Sequence, residues 1–133
     1  MEAKEKINLV MSGGEMRGGF IGGFLETFTR NIPLNKFDCT FYCVSASFPT
    51  TLYYLSYGEN FPGKKIWVEK LSKEGKSIYN GFLKIDMGGI MRVFRDFPFD
   101  MDKILNHEAK VIVAIYNVNK KRVDLFSSKK EDT

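Results

Sequence analysis

Two short stretches carry the residues that could do chemistry. The first is Ile7-Asn8-Leu9-Val10-Met11-Ser12-Gly13-Gly14-Glu15-Met16-Arg17-Gly18-Gly19-Phe20. It reads as a short strand, a glycine-rich turn and the start of a helix. Such a turn aims several backbone N–H groups into one small space at the positive end of a helix dipole. That space suits an anion, either a phosphate or the oxyanion of an acyl-transfer intermediate. The turn lacks the lysine and Ser/Thr of a P-loop and the full G-x-G-x-x-G of a dinucleotide site, which weighs against a nucleotide module. The second stretch is Cys43-Val44-Ser45-Ala46-Ser47, at a strand-to-helix junction. A serine there can occupy a nucleophile elbow, whose sharp turn exposes the hydroxyl while small residues two before and two after let strand and helix approach. Cys43 and Ser47 stand where G-x-S-x-G has glycine, and both are small.

The elements that must position these residues follow from periodicity. Ile7 to Met11 reads as a first strand, apolar enough for cover on both faces. Arg17 to Arg30 reads as a first helix, with Phe20, Phe24, Leu25 and Phe28 on its buried stripe and Glu26 and Arg30 on the wet side. Gly18, Gly19, Gly22 and Gly23 make it a weak helix by propensity but allow close approach to a strand. Phe37 to Val44 reads as a second strand and Ala46 to Tyr57 as a second helix, with Pro49 tolerated in its first turn. Tyr53, Tyr54 and Tyr57 extend along that helix as core or as the wall of an acyl groove. Lys64 to Lys73 reads as a helix around Ile66, Trp67 and Leu71. Ile78 to Phe97 reads as short helices or a lid-like segment, and Asp100 to Asn106 as a short helix. Lys110 to Tyr116 and Arg122 to Ser127 read as strands joined by a turn. Strand and helix alternate in the first half, so the chain is expected to be a single α/β domain over residues 1–133 with a mainly parallel sheet and a charged tail at 129–133.

Bulk properties exclude several classes. The 133 residues carry a net charge of +4, with 44% hydrophobic and 27% charged residues, as in soluble globular proteins. The lysines are scattered, and no nucleic-acid motif accompanies them. Cys39 and Cys43 fall four apart in one strand, roughly 13 Å by strand rise, too far to bridge, so free thiols in a reducing compartment are expected. Two Cys and one His provide no zinc set, so no metal or cofactor is expected. No signal peptide or transmembrane-length apolar run is visible, and the expected location is cytoplasmic, with a peripheral membrane surface as a possible partner.

The two stretches together resemble the patatin-like phospholipase family. Ile7 to Phe28 is similar to its opening segment, Cys39 to Gly58 to its elbow and following helix, and Lys110 to Phe126 to its later strands. The resemblance implies a three-layer α/β/α fold, incomplete at the C-terminus, and a serine acyl hydrolase acting on phospholipid or another acyl ester. It implies Ser45 as nucleophile. Gly13, Gly14, Arg17 and Gly18 match the family's G-G-G-x-R-G oxyanion loop, with Glu15 in place of the third glycine. The family's base is the aspartate of a later D-G-[GA] motif, which this sequence lacks. Asp86-Met87-Gly88-Gly89 is the nearest string, but it precedes the later strands and reads as a turn. Glu15 places a side chain where the chemistry wants bare backbone. His107, the single histidine, reads as a surface or capping residue. A catalytically silent relative that binds lipid is the competing reading. Losing one member of such a catalytic unit costs on the order of 10⁴-fold in turnover.

Overall fold

The computed structural model describes residues 3–14, 18–74 and 87–129. Four strands form one sheet in the order β1 (Lys6–Met11), β2 (Asp38–Cys43), β3 (Lys110–Asn117) and β4 (Arg122–Ser127). The first three strands run parallel and β4 closes an antiparallel hairpin with β3. Helix α1 (Gly18–Asn31) links β1 to β2. Between β2 and β3 come α2 (Ser47–Tyr57), a π-helix (Lys64–Leu71), the turn α3 (Ser72–Glu74), α4 (Gly88–Asp96) and α5 (Met101–Asn106). The α/β class and the mainly parallel sheet therefore match the alternation of strand and helix in the sequence.

Only one face of the sheet carries helices among the described residues. Met11, Cys39, Phe41, Cys43, Val111 and Val113 point into the core, with Leu25, Leu34, Leu55 and Ile104 above them. Side chains of the alternate register point away: Asn8 and Tyr42 are exposed, and Val10 is 80% exposed. Among the described residues, the near-continuous apolar run of β1 is thus covered on one face, where its reading expects cover on both. Topology supplies the reason. Right-handed crossovers that step in one direction across a sheet put every connecting helix on the same side.

Helix α1 also turns a different face inward than its spacing predicts. Leu25 is fully buried, but Phe20 is 82% exposed and Phe24 is exposed beside Phe28, with ring centroids 5.2 Å apart. Gly18 and Gly22 are buried instead. They lie against Trp67 and Phe61, not against a strand. A helix seam of bare backbone that accepts an indole outweighs the phenylalanine stripe, because a buried Trp removes more apolar area than an exposed Phe forfeits. Trp67, Tyr53, Phe61, Ile66, Leu71 and Val93 form a second cluster, with Ala46, Phe94 and Phe99 packed on it.

The remaining elements fall near their expected places. Ile66, Trp67 and Leu71 are buried on the π-helix. Asp100 caps α5 by accepting a hydrogen bond from the Lys103 N–H. Gly88 and Gly89 open helix α4 in place of the expected turn, whereas residues 78–86 of the lid-like segment, Asp86 included, lie outside the described residues. Among the described residues, no helix is long and apolar enough to cross a membrane.

Candidate active site

Met11 pairs with Cys43 at the last register position of β1 and β2, so the chain leaves both strands at the same end of the sheet. In open parallel sheets this carboxyl end is where ligands bind. The turn after β1 and the elbow after β2 meet there. A Cβ added to Gly13 would stand 2.9 Å from Ser45 Cβ, 3.3 Å from the Val44 carbonyl oxygen and 3.6 Å from Ser45 Oγ. Gly13 is therefore bare backbone pressed against the serine, and Gly14 follows it half-buried. Glu15 and Arg17 lie outside the described residues.

Ser45 adopts φ 55, a left-handed conformation shared with only one other non-glycine residue, Lys121, among those described. For an L-residue that conformation costs about 1–2 kcal/mol. The residue is exposed, and its hydroxyl makes no hydrogen bond with a described residue. The strained backbone turns this hydroxyl out at the N-terminal side of α2, as a nucleophile elbow does.

Ser47 and Cys43 hold the elbow in place. Ser47 is fully buried. Its Oγ accepts from the Val44 N–H at 2.8 Å and lies within donating distance of the Val44 and Met11 carbonyls, at 2.8 and 3.1 Å. One hydroxyl therefore ties the end of β1 to the elbow, which a glycine could not do. The Cys43 thiol packs 3.4 Å from Thr51 Oγ1, and the Thr51 hydroxyl donates to the Ser47 carbonyl at 2.9 Å. Burial raises the Cys43 pKa, with the Thr51 and Ser47 contacts opposing it weakly. A thiol kept protonated in this way is a packing group, not a second nucleophile. Cys39 and Cys43 are both free and buried, as the strand spacing implies.

Gly18, the last glycine of the loop pattern, is buried under the Trp67 indole, which a Cβ would overlap. The sequence marks Trp67 as core, but nothing in it ties Trp67 to Gly18. The cluster that holds this indole reaches Ala46, next to the serine. Within it Tyr53 Oη and Trp67 Nε1 are buried without a hydrogen-bond partner. Tyr53, at 0% exposure, is core and does not line a groove. Among the described residues, no group of three His, Cys, Asp or Glu side chains could hold a metal ion.

No general base adjoins Ser45 among the described residues. Asp124 pairs across the hairpin with Ile115, and Ile115 lies two residues past Val113, the partner of Cys43. Asp124 is thus level with Ser45, but two strand spacings, roughly 10 Å, separate them. Its carboxylate accepts from Asn117 Nδ2 at 2.8 Å and from Arg122 Nε at 2.7 Å. His107 follows α5 as its C-terminal cap, and its Nδ1 accepts from the Ala109 N–H at 3.0 Å. Burial is the main cause holding its pKa below the ordinary histidine value, with Lys129 adding to it. It lines an open cleft of about 840 Å³ with Cys39, Leu55 and Ala109, beside the starting ends of β2 and β3. Ser45 lies six residues beyond Cys39, about 20 Å along the strand direction. His107 is the capping residue that its position suggested. Compared with protein-family profiles, curated proteins and solved structures, the chain finds no match.

Proposed function

We propose that this end of the sheet is a serine acyl-hydrolase site of the patatin-like type, acting on phospholipid or another acyl ester. Ser45 is the nucleophile, and backbone N–H groups of the loop containing Gly13, Gly14, Glu15, Arg17 and Gly18 are the oxyanion donors. The observation that carries this reading is the pairing of a strained, exposed Ser45 at φ 55 with Gly13 packed against it. A structural turn has no need of a left-handed serine with an unbonded hydroxyl, because glycine would serve without strain.

In the proposed reaction, Ser45 Oγ attacks the ester carbonyl and gives up its proton to a base. The carbonyl oxygen becomes the oxyanion held by the loop, the alcohol leaves with a proton, and water then releases the acid. The base must come from outside the described residues. The three-layer form of the fold belongs to the same proposal: it requires a second layer over the sheet face that bears Asn8, Val10 and Tyr42. One observation favours the catalytically silent, lipid-binding reading, namely the lack of a base adjoining Ser45 among the described residues.

Labelling with a fluorophosphonate probe, with Ser45→Ala as control, separates the two. Covalent labelling that Ser45→Ala abolishes supports the hydrolase. A folded chain whose Ser45 never labels refutes it and leaves the silent reading.

A further inference from the structure

We propose that the tip of the β3–β4 hairpin docks on an anionic lipid surface and so brings Ser45 to its substrate at the bilayer interface. This inference rests on the acyl-hydrolase reading for its purpose, but its structural argument is separate. The last residue of β3 paired with β2 is Val113, and β3 continues to Asn117. Those four further residues carry the hairpin about 13 Å past the end of β2, on the side of the sheet where Ser45 lies.

The overhanging tip is apolar on one face and at its turn. Tyr116 (60% exposed) and Val123 are opposite each other on that face, and Val118 is 74% exposed at the turn, whereas the other face sets exposed Ile115 beside the Asp124–Arg122 pair. The overhang holds these apolar residues beyond the end of β2, where a shallow interfacial layer can take up the turn and one face while the Asp124–Arg122 pair stays wet, and tyrosine is the side chain suited to that depth.

Charge selects the sign of the surface. Lys120 and Lys121 lie at the turn and are exposed. Neither side chain enters an ion pair among the described residues. The acid and amide nearest to them are already engaged: Asp124 holds Arg122 and Asn117, and Asn117 Oδ1 accepts from the Lys120 N–H. The turn is thus rigid, with two free cations beside an apolar wedge, on a chain of net charge +4. Apolar insertion combined with basic residues is the arrangement that binds anionic bilayers.

The test is co-sedimentation with phosphatidylcholine vesicles, with and without phosphatidylserine, at low and high salt. The wild-type chain is expected to bind the phosphatidylserine vesicles, and to bind less as salt rises. Lys120→Glu/Lys121→Glu is expected to lower the partition coefficient at least ~10-fold, and Val118→Asp to lower it on vesicles of the same composition. Circular dichroism verifies that both variants stay folded. Ser45→Ala is expected to bind as wild type does, so a failure to label Ser45 leaves the docking result standing, and the reverse holds too. Absence of binding to phosphatidylserine vesicles, or binding that folded hairpin variants leave unchanged, overturns the proposal. So does light scattering that shows the hairpin burying itself in a dimer.

Discussion

Replacing Ser45 with glycine is expected to stabilise the protein while it removes the reactive group. The left-handed backbone at φ 55 costs an L-residue about 1–2 kcal/mol, and glycine escapes that cost. Glycine gives back about 0.5–1 kcal/mol through the greater freedom of its unfolded chain. The Ser45 hydroxyl has no hydrogen bond to lose among the described residues, so the net gain lies between about 0 and 1.5 kcal/mol, centred on ~0.75 kcal/mol. For a domain of this size the central value corresponds to roughly 2–4 °C in Tm. Ser45→Ala is the control, because alanine keeps the Cβ and hence the strain, and its stability should stay within ~0.5 kcal/mol of wild type. Urea denaturation and thermal scans of the three chains measure both differences. If Ser45→Gly is no more stable than Ser45→Ala, the elbow is not strained, and the argument that the serine is held there for its side chain fails.

Two further outcomes concern the two ends of β2. Ser47→Ala should lose about 1–3 kcal/mol in urea denaturation, because it leaves the Val44 N–H without its acceptor and unties Met11 from the elbow. The Cys39 thiol is pushed up to about 11, chiefly by burial and further by the Asp38 carboxylate. Its neutral form is thus favoured in the folded state, so the stabilising contribution is complete below the ordinary thiol pKa of about 9 and is lost as pH climbs from there towards 11. Stability measured across that interval should fall in wild type and fall less in Cys39→Ala.

The elements that position the site were legible because each has a local cause. Alternation of strand and helix gave the parallel pairing of β1 with β2. The small residues around Ser45 gave the elbow, and Asp100 gave the start of α5. What the sequence did not disclose depends on contacts far apart in the chain. The three phenylalanines of α1 and its glycine seam are both at helical spacing, and only the arrival of Trp67 and Phe61, roughly forty to fifty positions later, decides which side is buried. Likewise the apolar run of β1 looks the same whether one face is covered or two. The direction in which successive crossovers step decides on which face the described helices fall, and no single strand encodes it. Ser47 illustrates the limit of motif matching: at a glycine position the motif asks only that it be small, yet its hydroxyl joins two strand ends.

The departures from the expected pattern do not all weigh the same. Ser47 and Cys43 replace glycines at places where the fold uses their side chains, so they cost the elbow nothing. The missing base is different in kind. A general base must come within about 2.6–3.2 Å of the serine oxygen, directly or through one water, and Asp124 is level with Ser45 but two strands away. Moving it closer would break its bonds to Asn117 and Arg122 and dissolve the turn that carries Lys120 and Lys121. The hairpin is therefore better suited to holding a surface than to supplying a proton acceptor. An active Ser45 must draw its base from a group that approaches the open end of β2 from outside the described residues.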